Sequence, residues 1–179
     1  MTLCMAGTQP LADHVRAARA GDGRALEEIV RGLAQELMPL ASALTGGSGE
    51  ADGLVGDTVS RVYEKIDQLH DGAAIVPWAR RILVRRFLDQ RRWSLRRPQC
   101  SIEGVDVATS LGTGAELVDL RQAVALLPRA DRALLVLHYW QGLSIAECAR
   151  ELDVPEGTAK SRINRALTRL RQRLGEGER

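Results

Sequence analysis

The residues of this chain best suited to do chemistry form a basic stretch near its end, residues 154–174, VPEGTAKSRINRALTRLRQRL. After Glu156 the stretch holds no acid, although a helix that faces water normally carries charges of both signs. Its cations are Lys160, Arg162, Arg165, Arg169, Arg171 and Arg173. A guanidinium group binds phosphate through two parallel hydrogen bonds, so this row of side chains suits a polyanionic partner.

A second basic stretch, PWARRILVRRFLDQRRW, covers residues 77–93 in a chain whose net charge is only +2. Residues 72–99 hold 8 bases and 1 acid, and residues 154–179 hold 7 bases and 3 acids, whereas the segments before and between them are acidic. Phosphate pairing supplies most sequence-independent affinity for nucleic acid, so the pattern predicts a nucleic acid that is contacted at two places. The alternative is two solvated basic faces without a ligand.

The sequence does not group the side chains that catalysis or metal binding requires. Its histidines and cysteines are far apart, at His14, His70, His138, Cys4, Cys100 and Cys148. These positions lack the short spacing of zinc ligands, and no cluster of carboxylates occurs of the kind that a metal-dependent nuclease or transposase needs. We therefore expect no catalytic residue, no metal site and no cofactor, in a protein that is not an enzyme.

Aromatic residues make up only 3% of the 179 residues, so a core must be built from Leu, Val, Ile and Ala, which favours helices. Apolar residues recur at helical spacing up to about residue 90 and again from residue 117. We predict an all-α fold of two small helical domains, residues 1–93 and 117–179, joined by a flexible linker over the Gly-, Ser- and Thr-rich residues 94–116. No apolar run approaches the about 20 residues of a membrane helix, and we expect a cytoplasmic protein without membrane insertion.

The segment GLSIAECARELDVPEGTAKSRINRAL has the pattern of a helix-turn-helix. Ser144 and Glu147 form a capping box at the start of its first helix, and Pro155 opens its second helix. The apolar residues that we predict on the inner face of the second helix are Ala159, Ile163, Leu167, Leu170 and Leu174. Thr158, Ser161, Arg162, Arg165 and Arg169 fall on the opposite side, where a helix can enter the DNA major groove. The alternative is a plain helical hairpin with a basic exterior.

Over nearly its whole length the chain resembles the extracytoplasmic-function (ECF) sigma factors of the sigma-70 superfamily. EADGLVGDTVSRVYEKI, from residue 50, is similar to the family pattern AEDLVQETFLRVW. WARRILVRRFLDQRR, from residue 78, resembles WLYRIARNLALDRLRR. LLPRADRALLVLHYWQGLSIAECARELDVPEGTAKSRINRALTRLR, from residue 126, resembles region 4 of the family almost continuously.

The resemblance implies a sigma factor that directs core RNA polymerase to promoters by binding the −10 and −35 elements, and that initiates transcription. The first domain would bind the β′ clamp helices and melt the −10 element, and region 4 would meet the β flap and read the −35 element. The linker would thread the polymerase channel. The implied partners are core RNA polymerase, promoter DNA and an anti-sigma factor.

The family's functional positions map onto three groups of residues here. The resemblance implies polymerase contacts at Asp52, Leu54, Val55, Asp57, Thr58 and Arg61. It implies −10 contacts at His70, Asp71, Arg81 and Arg85, with an extruded base held by the loop 70–75. The residues expected to contact the −35 element are Thr158, Lys160, Ser161, Arg162, Arg165 and Arg169.

The sequence departs from the family pattern at Gly53 and Gly56, which replace an acid and a glutamine, and at Arg85, where the family usually has Asn. Each glycine weakens a helix interior by roughly 1 kcal/mol relative to alanine. A second interpretation is a two-domain helix-turn-helix transcriptional regulator that never joins polymerase. The acid-bearing segment 51–66 argues against it, because such a helix is unsuited to DNA and suited to a protein partner.

Overall fold

A computed structural model describes residues 8–46, 49–69, 71–89 and 115–176. Within these ranges all regular secondary structure is helical, which confirms the predicted all-α class. None of the helices in these ranges combines the length and apolarity needed to cross a bilayer.

The N-terminal helices are α1 (Thr8–Arg19), α2 (Gly23–Thr45), α3 (Glu50–Glu64) and α4 (Ile75–Asp89), with single 3-10 turns at Ile66–Gln68 and Gly72–Ala74 between the last two. Local chemistry sets the ends of the longest of them. The Asp22 carboxylate accepts hydrogen bonds from the backbone N–H groups of Arg24 and Ala25, which caps the start of α2. Gly46 ends α2 with a φ of 77°, a left-handed conformation that favours glycine.

The C-terminal helices are α5 (Ala115–Ala125), α6 (Arg129–Leu135), α7 (Ile145–Leu152) and α8 (Glu156–Glu176), with a π-helical turn at Val136–Trp140 that continues α6. Pro128 separates α5 from α6 because proline fixes its own φ and disfavours a helical residue before it. α5 begins two residues inside the segment predicted as a linker. Residues 90–114, which include most of that segment, lie outside the described residues.

The apolar side chains of both groups of helices form one continuous core. Leu33, Leu44 and Leu83 are fully buried in the N-terminal part, and Leu134 and Ala159 are fully buried in the C-terminal part. Because α5, α6 and α7 pack on α2 and α4, the described halves of the chain lie against each other. The domain boundaries themselves remain a prediction.

The inner face of α8 differs slightly from the predicted one. Ala159, Ile163 and Leu170 are buried as predicted, but Ala166 is also buried, whereas Leu174 is 37% exposed. Position 174 continues the 3.6-residue period of positions 159, 163, 166 and 170, so Leu174 is on the inner face, but it lies in the last turn of α8 and is partly exposed there.

Arg132, on α6, joins the two halves through backbone carbonyls. Its guanidinium donates to Leu44 O at the end of α2 (2.7 Å), to Leu127 O (3.2 Å) and to Ala125 O. It also lies over the Phe87 ring of α4, with 5.6 Å between the guanidinium carbon and the ring centroid. Burial lowers the pKa of Arg132 from its ordinary value, with the nearby charge of Arg129 acting in the same direction. Arginine stays protonated under such a shift, so the carbonyls keep a charged donor.

We expect Arg132→Met to lower the free energy of unfolding by about 2–4 kcal/mol, because several carbonyls lose a charged donor in a half-buried place. Chemical denaturation followed by circular dichroism measures this. Arg31→Ala is the matched control: Arg31 pairs with Glu28, both side chains are about half exposed, and its loss should cost less than about 0.5 kcal/mol. Equal losses in the two variants would contradict a structural role for Arg132.

Candidate nucleic-acid interface

The helix-turn-helix is formed by α7, a short turn and α8, and its first helix is capped as predicted. The Ser144 backbone N–H donates to Glu147 Oε2 (2.8 Å), and the Glu147 N–H donates to Ser144 Oγ (3.2 Å), which completes the capping box. The hydrogen bonds from Ser144 lower the pKa of Glu147, so its carboxylate stays charged at the positive end of α7.

The turn between α7 and α8 depends on a left-handed residue. Asp153 has φ 54° and ψ 49°, and its N–H bonds to the Ala149 and Arg150 carbonyls at the end of α7. The Val154 N–H then bonds to Ala149 O at 3.0 Å. Pro155 precedes α8 and accepts hydrogen bonds from the N–H groups of Thr158 and Ala159. The turn therefore fixes the angle at which α8 leaves α7.

The outer face of α8 carries unpaired cations. Lys160, Ser161 and Arg165 are exposed, and Thr158 and Arg162 are half-buried beside them. Within the described part of the chain, Lys160, Arg162 and Arg165 form no ion pair. No acid lies on α8 between Glu156 and Glu176. These three cations therefore present a net positive field to solvent.

Arg169 differs from the other predicted −35 residues. Its guanidinium donates to Asp131 Oδ2 of α6 at 2.9 Å, and the Asp131 side chain is only 8% exposed. This ion pair joins a side chain of α8 to a buried side chain of α6, so Arg169 holds α8 against α6. Arg169 therefore does not belong with the unpaired cations Lys160, Arg162 and Arg165.

The predicted −10 residues separate into paired and unpaired positions. Arg81 forms a two-fold ion pair with Glu151 of α7, through Nε (3.0 Å) and a terminal nitrogen (2.9 Å), and this hydrogen bonding raises the pKa of Arg81. Arg85, one turn further along α4, is exposed and forms no ion pair among the described residues. The Asp71 carboxylate accepts from the Ala73 N–H (2.9 Å) and caps a 3-10 turn. His70 lies outside the described residues.

The predicted polymerase contacts on α3 also divide. Asp52 and Arg61 are exposed, and Arg61 pairs with Glu64 at 2.6 Å. The other four positions face the core and are at most 8% exposed: Leu54, Val55, Asp57 and Thr58. Buried side chains cannot touch a partner unless the helices separate. These four therefore pack on the inner side of α3. The apolar period of the sequence (54, 55, 58, 59, 62) indicates this position for Leu54, Val55 and Thr58, but not for Asp57.

Sequence reasoning missed the exposed aromatic residues next to these sites. Tyr63, on α3 between Arg61 and Glu64, is 56% exposed, and Tyr139, on the π-helical turn before α7, is 63% exposed. Large aromatic side chains with polar neighbours are enriched at protein interfaces. For Tyr63 the sequence did offer a signal of exposure, because position 63 lies outside the apolar stripe of α3 that includes Val62.

The described residues contain no group of His, Cys, Asp and Glu side chains that could bind a metal ion. Cys148 is fully buried on the inner face of α7, where burial raises the pKa of its thiol to about 11. A thiol held in that form is a poor nucleophile and packs as a small apolar side chain.

Known proteins resemble this chain along most of its length. A family model described as "Sigma-70, region 4" matches residues 117–170, which include α6, α7 and most of α8. The ECF RNA polymerase sigma factor SigM of Mycobacterium tuberculosis is 34% identical over 166 residues, which are 92% of this chain and 83% of that protein. This chain belongs to the ECF sigma factor family.

Further relatives agree with this membership. The ECF sigma factor SigE of Mycolicibacterium smegmatis is 32% identical to this chain. The matched region covers 84% of this chain and 62% of SigE. Among solved structures, the sigma factor RpoE of Bartonella quintana, in complex with the anti-sigma factor NepR, matches with a TM-score of 0.62 and 24% identity, over 83% of this chain and 96% of that one. At that identity the structural likeness concerns the fold alone.

In this ECF sigma factor Asp153→Gly should raise the free energy of unfolding by up to about 1 kcal/mol, because a left-handed conformation costs a residue with a side chain roughly 1–2 kcal/mol and Asp somewhat less. The greater freedom of glycine in the unfolded chain offsets part of the gain. Asp153→Val serves as the opposite control and should destabilise, since a β-branched residue is the least tolerant of positive φ. Thermal unfolding of the two variants measures both effects. A tolerated valine together with a neutral glycine would contradict the left-handed turn.

Proposed function

We propose that this ECF sigma factor directs core RNA polymerase to specific promoters, with α8 reading the −35 element, α4 and the loop before it handling the −10 element, and α3 docking on polymerase. It is a binding protein that acts with polymerase in the cytoplasm and catalyses no reaction itself. The observation that carries the proposal is the unpaired basic face of α8, presented on a capped helix-turn-helix. A basic face alone does not identify the partner. Membership of the sigma factor family indicates promoter DNA bound together with core RNA polymerase.

For the −35 element, the proposal assigns different tasks to neighbouring side chains. Arg162 and Arg165 contact base edges, where a guanidinium can bond guanine O6 and N7 together. Lys160 contacts phosphate at the edge of the groove, with Thr158 and Ser161 as shorter polar neighbours. The Ser161 hydroxyl already donates to Thr158 O at 3.0 Å, which leaves its oxygen as an acceptor. Arg169 contributes by fixing α8 on Asp131 and thereby orienting the reading face.

For the −10 element, Arg85 is the cation that meets the strand directly, because it is exposed and carries no partner among the described residues. Arg81 joins it only when Glu151 releases the guanidinium. Asp71, and His70 beside it in sequence, belong to the loop that would hold an extruded base. Extrusion costs a few kcal/mol, which contacts to the base and the backbone offset.

For polymerase, the exposed side of α3 carries the contact to the β′ clamp helices. Asp52 and Arg61 supply charge there, and Tyr63 supplies an apolar surface that the family resemblance does not include. The opposite side of α3 is buried and holds the helix in place through Leu54, Val55, Asp57 and Thr58. The Thr58 hydroxyl, for example, donates to Leu54 O at 2.7 Å. Region 4 would meet the β flap. An anti-sigma factor is a further expected partner, since the RpoE neighbour was solved bound to one.

Arg165→Ala should weaken binding to the cognate −35 sequence by about 1–3 kcal/mol and relax selectivity at one base pair, because a two-fold contact to a base edge is lost. The measurement is binding of the reconstituted holoenzyme to duplexes substituted at each −35 position. Lys160→Ala should weaken all of these duplexes alike. Arg171→Ala, an exposed arginine nearly two turns further along α8, is the matched control and should leave selectivity intact. An Arg165→Ala variant that loses affinity equally for every duplex would show that α8 only clamps the backbone.

Arg85→Ala should reduce open-complex formation while leaving assembly with core polymerase intact, because the melted strand loses its direct cationic contact. Permanganate footprinting should show lower thymine reactivity near −10, and size-exclusion chromatography should show unchanged co-elution with core. Arg24→Ala, an exposed arginine on α2 outside both basic stretches, is the control.

Two results would count against these assignments. Full permanganate reactivity with Arg85→Ala would show that α4 presents only a solvated basic face. Failure of the wild-type chain to co-elute with core polymerase would instead favour the regulator that does not join polymerase.

A further inference from the structure

The first helix is bonded to the segment that leads into the proposed −10 loop. Arg19 is the last residue of α1, and its guanidinium donates to Leu69 O at 3.1 Å and to Asp67 O at 3.4 Å. These carbonyls lie 50 and 48 residues further along the chain. Leu69 ends the 3-10 turn at Ile66–Gln68 and adopts an extended conformation there. Arg19 therefore fixes the backbone immediately before position 70.

The same helix also holds the backbone just after position 70. At Gly72 a Cβ atom would lie 2.8 Å from Ala12 O and 3.1 Å from Ala12 Cα, both backbone atoms of α1. Only glycine allows so close an approach of two backbones. The Asp71 carboxylate bonds to the Ala73 N–H and shapes the turn that packs there. The chain is thus held against α1 on both sides of one position.

α1 is itself a firm support. Leu11 and Val15 are 5% and 2% exposed and pack in the continuous core, so the helix cannot shift without loss of apolar contact. Leu11 also lies against α2, where its side chain meets the position that a Cβ of Gly32 would occupy. The bonds from Arg19 consequently link the loop to a helix that is packed in the core.

We propose that Arg19 is a positioning residue for −10 recognition: it sets the loop geometry that selects the extruded base, without touching DNA. The proposal rests on the function proposed above, and Arg19 lies outside the residues that the family resemblance implies. A pocket that discriminates one base from another needs its groups held within a fraction of an ångström. A guanidinium bonded to two carbonyls holds a backbone in that way because its donors are fixed in one plane.

The test uses the full chain assembled with core polymerase on a promoter selected by the wild-type holoenzyme. Each −10 position is substituted in turn, and open-complex formation is followed by permanganate reactivity. Arg19→Ala should reduce the ratio of cognate to substituted promoter by about three- to tenfold at one position, as expected for the loss of charge-assisted hydrogen bonds. Core co-elution should not change.

Arg16→Ala is the matched control. Arg16 lies on the same helix three residues earlier, its side chain is 83% exposed, and it pairs with Asp13 within α1 at 3.5 Å. It should keep the wild-type ratio. Arg19→Lys should give an intermediate ratio, because a single ammonium group can replace one of the two bonds but lacks the planar fork.

A second variant approaches the loop independently of Arg19. Gly72→Ala should cause the same loss of discrimination, because its methyl group displaces the loop from the backbone of α1. Gly23→Ala is its control, since nothing lies within 4 Å of a Cβ at that position.

An equal drop of Arg19→Ala on every promoter, or an equal effect of Arg16→Ala, would overturn the proposal and leave Arg19 with a stabilising role only. These outcomes are separable from a failure of the proposed function. If the proposed function fails, Arg85→Ala leaves melting unchanged. If Arg85→Ala reduces melting and Arg19→Ala does not change discrimination, only the positioning role is removed.

Discussion

The arrangement of the described helices depends on the hydrogen bonds of one half-buried cation, Arg132. Arg132 brings a guanidinium to the place where α2 and α5 end, and helix ends expose carbonyls that their own helices leave unbonded. The side chain meets this need for both helices and rests on Phe87 of α4. Arg129 adds a bond of 2.9 Å to Phe87 O. Apolar packing brings the halves together, but it is non-directional, and these directed bonds fix one arrangement.

Acids on neighbouring helices account for which of these arginines form an ion pair. Asp131 holds Arg169, and Glu151 holds Arg81, so each of these cations links two helices. Arg85, Arg162 and Arg165 receive no such partner among the described residues. Two arginines of the same basic stretch thus have different roles, which depend on whether a carboxylate from another helix reaches them.

Features encoded within one helical turn could be predicted from the sequence, and contacts between distant segments could not. The Ser144–Glu147 capping box and the inward position of Cys148 follow from spacing alone. The bonds of Arg81 to Glu151 and of Arg132 to Leu44 join residues 70 and 88 positions apart, and periodicity does not say which helices meet. The family pattern named α3 positions without separating inward from outward ones. The apolar spacing of the sequence puts Leu54, Val55 and Thr58 on one face of α3, so spacing separates these inward positions and the resemblance does not.

The pairing of Arg81 with Glu151 bears on the DNA contact that we propose for α4. A carboxylate and a phosphate offer the same two oxygens to a guanidinium, so Glu151 occupies the place that a backbone phosphate would take. A phosphate in that place would release a counterion from the DNA, as any phosphate contact does, but the ion pair with Glu151 would have to break first. Arg81 would therefore add less to affinity than a cation that starts unpaired. For this side chain, binding DNA would be an exchange of one anion for another.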